Sequence, residues 1–168
     1  MAYVKATQDI YIRFSLKEHS EVVLSANDAT NLNNQIADCA ECGIVSDYAD
    51  IDEVYLNDDG FKEEGERLTD EYEYEFSIQA SLYIHGSYTF YPGKMYLPNG
   101  DPGYPDECDW EPEYGWIETL DKAKIINQLL TLPKIGSLID EDSISISLDD
   151  ETNEIGDIQT DDEEPDYD

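Results

Sequence analysis

Positive charge is scarce in this chain. Nine Lys and Arg stand against 41 Asp and Glu over 168 residues, a formal net charge of −32. A surface this negative repels DNA, RNA and anionic membranes, so neither direct nucleic-acid binding nor membrane binding is expected. Histidine is scarcer still: His19 and His85 are the two copies, which leaves little material for activating a nucleophile through imidazole. Cysteine occurs three times, an odd number that does not describe a disulfide framework. No apolar run approaches the ~18 residues that a membrane helix needs. The opening segment MAYVKATQDIYIRF has neither a basic n-region nor an apolar h-region, so a cytoplasmic protein without a secretory signal is expected.

Catalytic and metal signatures are also missing. There is no G-x-x-x-x-G-K-[ST] or G-x-G-x-x-G phosphate loop, no G-x-S-x-G and no H-E-x-x-H, each of which places a specific donor or nucleophile by backbone geometry. An EF-hand needs oxygen donors at loop positions 1, 3 and 5 around a central Gly. Aligning Gly60 puts Tyr55 at the first position, and aligning Gly156 puts Ile155 at the fifth. Cys39-x-x-Cys42 could open a zinc site, but no second pair with ligand spacing completes four ligands. Core packing or idle thiols are the plainer reading of that pair. Paired carboxylates occur by chance in so acidic a chain. The expectation is a protein that is not an enzyme and holds no cofactor or metal.

What the chain does have is acid on a foldable frame. Acidity alone often signals disorder, but 40% hydrophobic residues, thirteen Tyr, four Phe and two Trp are enough for a packed core. The predicted fold is α+β: one acidic domain over 1–149, built on an antiparallel sheet, followed by an acidic tail over 150–168. A half-buried strand is expected at 8–17, where Ile10, Ile12, Phe14 and Leu16 alternate with polar residues. Short strands are expected at 22–24, 51–56 and 143–148. Helices are expected at about 27–42, capped by Ser25 or Asn27 and stopped at Gly43, and at about 121–131, with Ala123, Ile126, Leu129 and Leu130 inward and Pro133 as its stop. The clearest alternation runs over 71–84, with Tyr72, Tyr74, Phe76, Ile78, Ala80, Leu82 and Ile84 on one face. Gly86 is read as the start of a new strand, Tyr88–Tyr91, folding back on the last. Residues 58–70 read as a charged loop, and 92–115 as a long Pro/Gly loop in which regular structure is not expected.

The acids are unevenly placed. Residues 1–45 carry six acids against three bases, 46–75 carry thirteen against Lys62 and Arg67, and 139–168 carry fourteen and no base. Duplex DNA bears one charge per ~1.7 Å of axis, so 32 charges are worth roughly 16 base pairs. Same-face strand residues lie ~6.6–7 Å apart, close to the phosphate spacing along a DNA strand, so Glu71, Glu73 and Glu75 read as a row of phosphate-like charges. A solvated strand face that discourages edge pairing is the alternative. The candidate partner-binding carboxylates are Asp47, Asp50, Asp52, Glu53, Asp58, Asp59, Glu63, Glu64, Glu66, Asp70, Glu71, Glu73 and Glu75. Charges fixed on strands lose less entropy on binding than charges on a tail, so Glu71, Glu73 and Glu75 are expected to outweigh Asp161, Asp162 and Glu163.

Two resemblances add to this reading. Ile84-x-Gly86-x-Tyr88, Tyr91-Pro-Gly93, Asp101-Pro-Gly-Tyr-Pro105, the acidic run Asp109–Glu113, Ile117 and Leu129-Leu130 resemble small uncharacterised bacteriophage proteins, which implies a phage origin and no activity. The acid loading resembles the DNA-mimic antirestriction and anti-CRISPR proteins of phages, by composition and not by motif. That resemblance implies a non-catalytic inhibitor in the host cytoplasm. Its partner would be a basic DNA-binding host protein or complex, and a homodimer is compatible with it. The alternative is an acidic chaperone, assembly or docking protein for a basic virion or nucleoid component.

Overall fold

The computed structural model describes residues 2–45, 48–57, 60–61, 66–90, 108–156 and 158–160. Its strands and helices are, in chain order, β1 (Ala2–Ser15), β2 (Glu21–Leu24), α1 (Ala26–Cys42), β3 (Ile44–Val45), β4 (Ile51–Leu56), β5 (Glu66–Thr69), β6 (Glu73–Phe90), β7 (Cys108–Tyr114), β8 (Thr119–Leu120), α2 (Lys122–Leu129), β9 (Ser145–Leu148), β10 (Asn153–Glu154) and β11 (Gln159–Thr160). This is an α+β fold on an antiparallel sheet.

Strands β1 and β6 form its spine, paired antiparallel from Ala2 opposite Gly86 to Ser15 opposite Glu73. In both strands the inward residues are apolar except Gln8 of β1, and a period of two sends those side chains to one face. Ile10, Ile12 and Phe14 of β1 and Phe76, Ile78, Leu82 and Ile84 of β6 are wholly buried there, each worth about 1.5–3 kcal/mol of transfer free energy. The helices cover this face: Leu32 and Ile36 of α1 and Ile125 and Leu129 of α2 belong to the same core. The opposite face of the spine carries Lys5, Tyr11, Arg13, Glu73 and Glu75 into solvent.

Helix α1 starts where its sequence allows. Ser25 accepts from the backbone of Asp28, and the Asp28 carboxylate accepts from the backbone of Ser25, a reciprocal capping box. Lys134 also reaches Asp28, at 3.1 Å. Hydrogen bonds from Lys134 first, and Ser25 next, hold the Asp28 carboxyl below its ordinary range. Since that shift is downward, its stabilising share is present above the ordinary carboxylate range and is lost as pH falls. Replacing Ser25 with Ala is expected to destabilise the protein by about 1 kcal/mol in urea unfolding at neutral pH.

Several elements differ from the sequence reading. The first strand begins at Ala2, not at residue 8, because Ala2, Val4 and Ala6 are small inward residues that extend the alternation. Residues 66–69, expected within a charged loop, form β5 against β2; its one apolar side chain, Leu68, is wholly buried opposite Val22. Gly86 does not break the chain. β6 runs through it to Phe90, and β7 lies so close that a Cβ at Gly86 would stand 2.1 Å from the Glu111 carbonyl oxygen. Strand β7 itself occupies 108–114, inside the expected Pro/Gly loop. Pro112 is tolerated because β7 pairs with β6 as a flanking strand, at a shift in register beside Gly86. Residues 92–107 of that loop, and Tyr91 before it, lie outside the described residues. In α2 Leu129 is buried and Ile126 and Leu130 pack half-buried against the core as expected, but Ala123 is exposed and Ile125 takes the inward place instead; Asp121 caps the helix, accepting from the Lys124 amide.

The C-terminal segment also differs. The chain past Asp150 was expected to leave the domain as a tail. Instead β9, β10 and β11 follow one another along the free side of β1, pairing with residues 13–10, 7–6 and 3–2. Residues 161–168 lie outside the described residues.

Candidate functional site

Of the thirteen candidate carboxylates, Asp47, Asp58, Asp59, Glu63 and Glu64 lie outside the described residues, as does the side chain of Glu66. The other seven separate into two groups. At the start of β4, Asp50 meets His85 Nε2 at 2.8 Å, Asp52 meets Lys5 Nζ at 3.9 Å, and Glu53 stands exposed opposite Ser81. At the far end of β6, Asp70 accepts from the His19 backbone at 2.9 Å, and Glu73 and Glu75 flank the Arg13 guanidinium at 3.1 and 3.0 Å. From Ser81 to Glu75 is about 20 Å along the strand.

The expected row of three glutamates is therefore not a row of free charges. Glu71 precedes β6, in a turn where its amide donates to Thr69 Oγ1. Tyr72, expected inward, also precedes the strand and is 62% exposed. Glu73 and Glu75 lie on one face as the alternation requires, but Arg13 directly opposite shares its charge between them. Two carboxylates and one guanidinium leave a single net charge.

A longer acidic feature lies on the other side of β1. Between Asp140 and Glu154 there are seven acids and no base. The backbone of this stretch is held to β1 by amides of Asp140, Asp149 and Ile155, which donate to the carbonyls of Ser15, Asp9 and Lys5. Ser15 to Lys5 spans about 34 Å of strand, so the edge carries one carboxylate per about 5 Å of its length, against one phosphate per ~3.4 Å of helix axis for each strand of a DNA duplex. Glu141, Asp142, Asp150, Glu151 and Glu154 are exposed, while Asp140 and Asp149 are half-buried. Asp140 accepts from the amide of Asp142, and Asp149 from that of Glu151, so two of the seven side chains are tied to their own turns. Among the described residues no ion pair neutralises any of the seven. Tyr11 lies beside this edge; burial first, then the charges of Asp9 and Asp149, raise its phenol above the ordinary value. The sequence signal for this edge was the base-free acidity of 139–168. Its attachment to β1 carried no such signal.

Cys39 is buried in α1, where burial pushes its thiol up to about 12, and Cys42 Sγ–H points back to the Cys39 carbonyl. That is a packed helix end. Among the described residues no group of three or more His, Cys, Asp and Glu is placed to hold a metal ion, and no helix is long and apolar enough to cross a membrane. Comparison with protein-family models, curated proteins and solved structures found no match.

Proposed function

We propose that this chain is a non-catalytic acidic binding protein that imitates DNA and occupies the DNA-binding site of a host defence complex, such as a restriction, CRISPR or other DNA-scanning system. The observation that carries this reading is the Asp140–Glu154 edge, where carboxylates approach the linear charge density of a nucleic-acid strand on a backbone anchored to a long strand. A field from −32 charges attracts a basic cleft over long range and speeds encounter. Anchored carboxylates then meet the cleft with less ordering entropy than charges on a free tail. The resemblance to phage proteins fits a counter-defence role. The thirteen carboxylates named from the sequence are not equal candidates on this reading: Glu73 and Glu75 are offset by Arg13, and the C-terminal edge takes the leading place.

The test is competition. A partner isolated on the immobilised protein should release a bound ~16-base-pair duplex as this protein is added, and its complex with this protein should weaken steeply between 50 and about 200 mM salt. A partner that holds DNA and this protein together at full affinity would contradict mimicry and favour the acidic docking or chaperone role.

A further inference from the structure

The open face of the sheet ends in a cluster unlike the rest of the surface. Tyr3 and His85 are directly paired across β1 and β6, as are Lys5 and Tyr83, and all four side chains project away from the core. Tyr3 meets Tyr83 edge to face, with centroids 5.4 Å apart. His85 stacks on Tyr114 at 5.0 Å and 18°. Asp50 closes the group, its Oδ2 2.8 Å from His85 Nε2. A carboxylate can only accept, so Nε2 carries the hydrogen and donates it. Tyr3, Asp50, Tyr83 and His85 together line an open recess of about 230 Å³.

We propose that this recess anchors one arginine side chain of the basic partner, an inference that rests on the binding role proposed above. Three observations select a cation. Aromatic faces attract positive charge through their quadrupole. The chain's own Lys5 already places its ammonium 5.8 Å from the Tyr83 ring centre. The Asp50 side chain, half-exposed, keeps lone pairs beyond the one His85 uses, so it can accept from an incoming N–H. Anionic ligands meet both Asp50 and the overall negative field. Between the two cationic side chains, the planar guanidinium suits the site better: it stacks on a ring, directs several N–H groups at one carboxylate and sheds water more readily than an ammonium. A recess of this size takes that group and the end of its stem. The edge described above would supply attraction and this recess a fixed point of registry.

The test uses the intact protein with N-acetyl-arginine methylamide, and the neutral isostere N-acetyl-citrulline methylamide as control, followed through ring resonances by NMR. Saturable shifts confined to Tyr3, Tyr83, His85 and Tyr114 are expected with arginine and not with citrulline. Asp50→Asn and Tyr83→Leu, each with its fold checked by the amide spectrum, should weaken arginine binding by about five- to tenfold. Neutralising Asp149, Asp150 and Glu151 removes more charge away from the recess and should change it by less than about twofold. Shifts spread over the acidic surface, or equal losses from the edge variant, would overturn the site. A partner displaced by DNA but indifferent to Asp50→Asn would leave mimicry standing and overturn the anchor. Saturable arginine binding to a protein whose partner ignores DNA would do the reverse.

Discussion

Replacing Gln8 with leucine is expected to destabilise the protein by about 3 kcal/mol. Gln8 lies in the inward register of β1, between Ala6 and Ile10, and is 1% exposed. Its carboxamide makes three hydrogen bonds: Nε2 donates to the carbonyls of Ile117 and Asp149 at 2.9 and 2.7 Å, and Oε1 accepts from the Ile117 amide at 2.8 Å. Those partners belong to segments far away in sequence, the extended stretch after β7 and the turn after β9, so one side chain ties both to the spine. Leucine has nearly the same volume and would fill the site. It would leave the Ile117 amide and two carbonyls unmatched, at about 1–3 kcal/mol for each that stays buried. Apolar gain from the leucine offsets part of this, which brings the net to the value above. Urea unfolding at fixed salt should show a lower midpoint with an unchanged slope. A loss below about 1 kcal/mol would mean that water or a small backbone shift replaces the amide. Gln8→Glu should be worse than leucine, because a buried carboxylate would face two carbonyl oxygens.

Gln8 also shows where the sequence stops being readable. The alternation of Ile10, Ile12 and Phe14 announced a strand because each inward residue was apolar. The expected strand reached no further back than Gln8, because a glutamine in the inward register carries no apolar signal and its value lies in partners 109 and 141 residues away. The same limit hid β5, where Leu68 alone marks the buried side of a charged stretch. It also hid β7, where Pro112 signals a loop unless the strand is known to lie at a register shift beside Gly86. Both helices were legible, because the cap at Ser25 and the stops at Gly43 and Pro133 are local chemistry. The acid count of the C-terminal third was legible too. Its placement was not: β10 and β11 are two residues long, have no apolar pattern, and exist by pairing with a strand at the other end of the chain. What surrounds the candidate carboxylates was hidden for a related reason. Glu73 and Glu75 have the right spacing, but the guanidinium between them comes from β1, and a charge across the sheet leaves no trace in the local sequence.

That last point sets the final prediction. Two triple variants can be compared: Asp149→Asn, Asp150→Asn and Glu151→Gln on the C-terminal edge, and Glu71→Gln, Glu73→Gln and Glu75→Gln at the start of β6. Each lowers the net charge by the same amount, so a mechanism that depends on net charge alone predicts equal losses of partner binding. The local fields differ. On the edge, no described cation offsets the three acids, so their potential is presented undiminished to a basic cleft. At β6, Glu73 and Glu75 act largely on Arg13, whose guanidinium lies 3.1 and 3.0 Å away, and a cleft lined with Lys and Arg is repelled by the same group. Exposed charge contacts are worth about 0.2–1 kcal/mol each, so the edge variant should lose about 2 kcal/mol, or roughly thirtyfold in affinity. The β6 variant should lose about threefold or less. Both sets are at the surface, and urea unfolding should find each within about 1 kcal/mol of the parent, so that binding is compared between folded proteins. Titration at two salt concentrations separates the terms: the edge variant's deficit should shrink as screening shortens the reach of its charges. Equal losses would reduce the protein to a diffuse electrostatic tether. A larger loss from Glu71, Glu73 and Glu75 would mean that the partner strips Arg13 from its two carboxylates and binds there, which moves the DNA-like surface to the open face of the sheet.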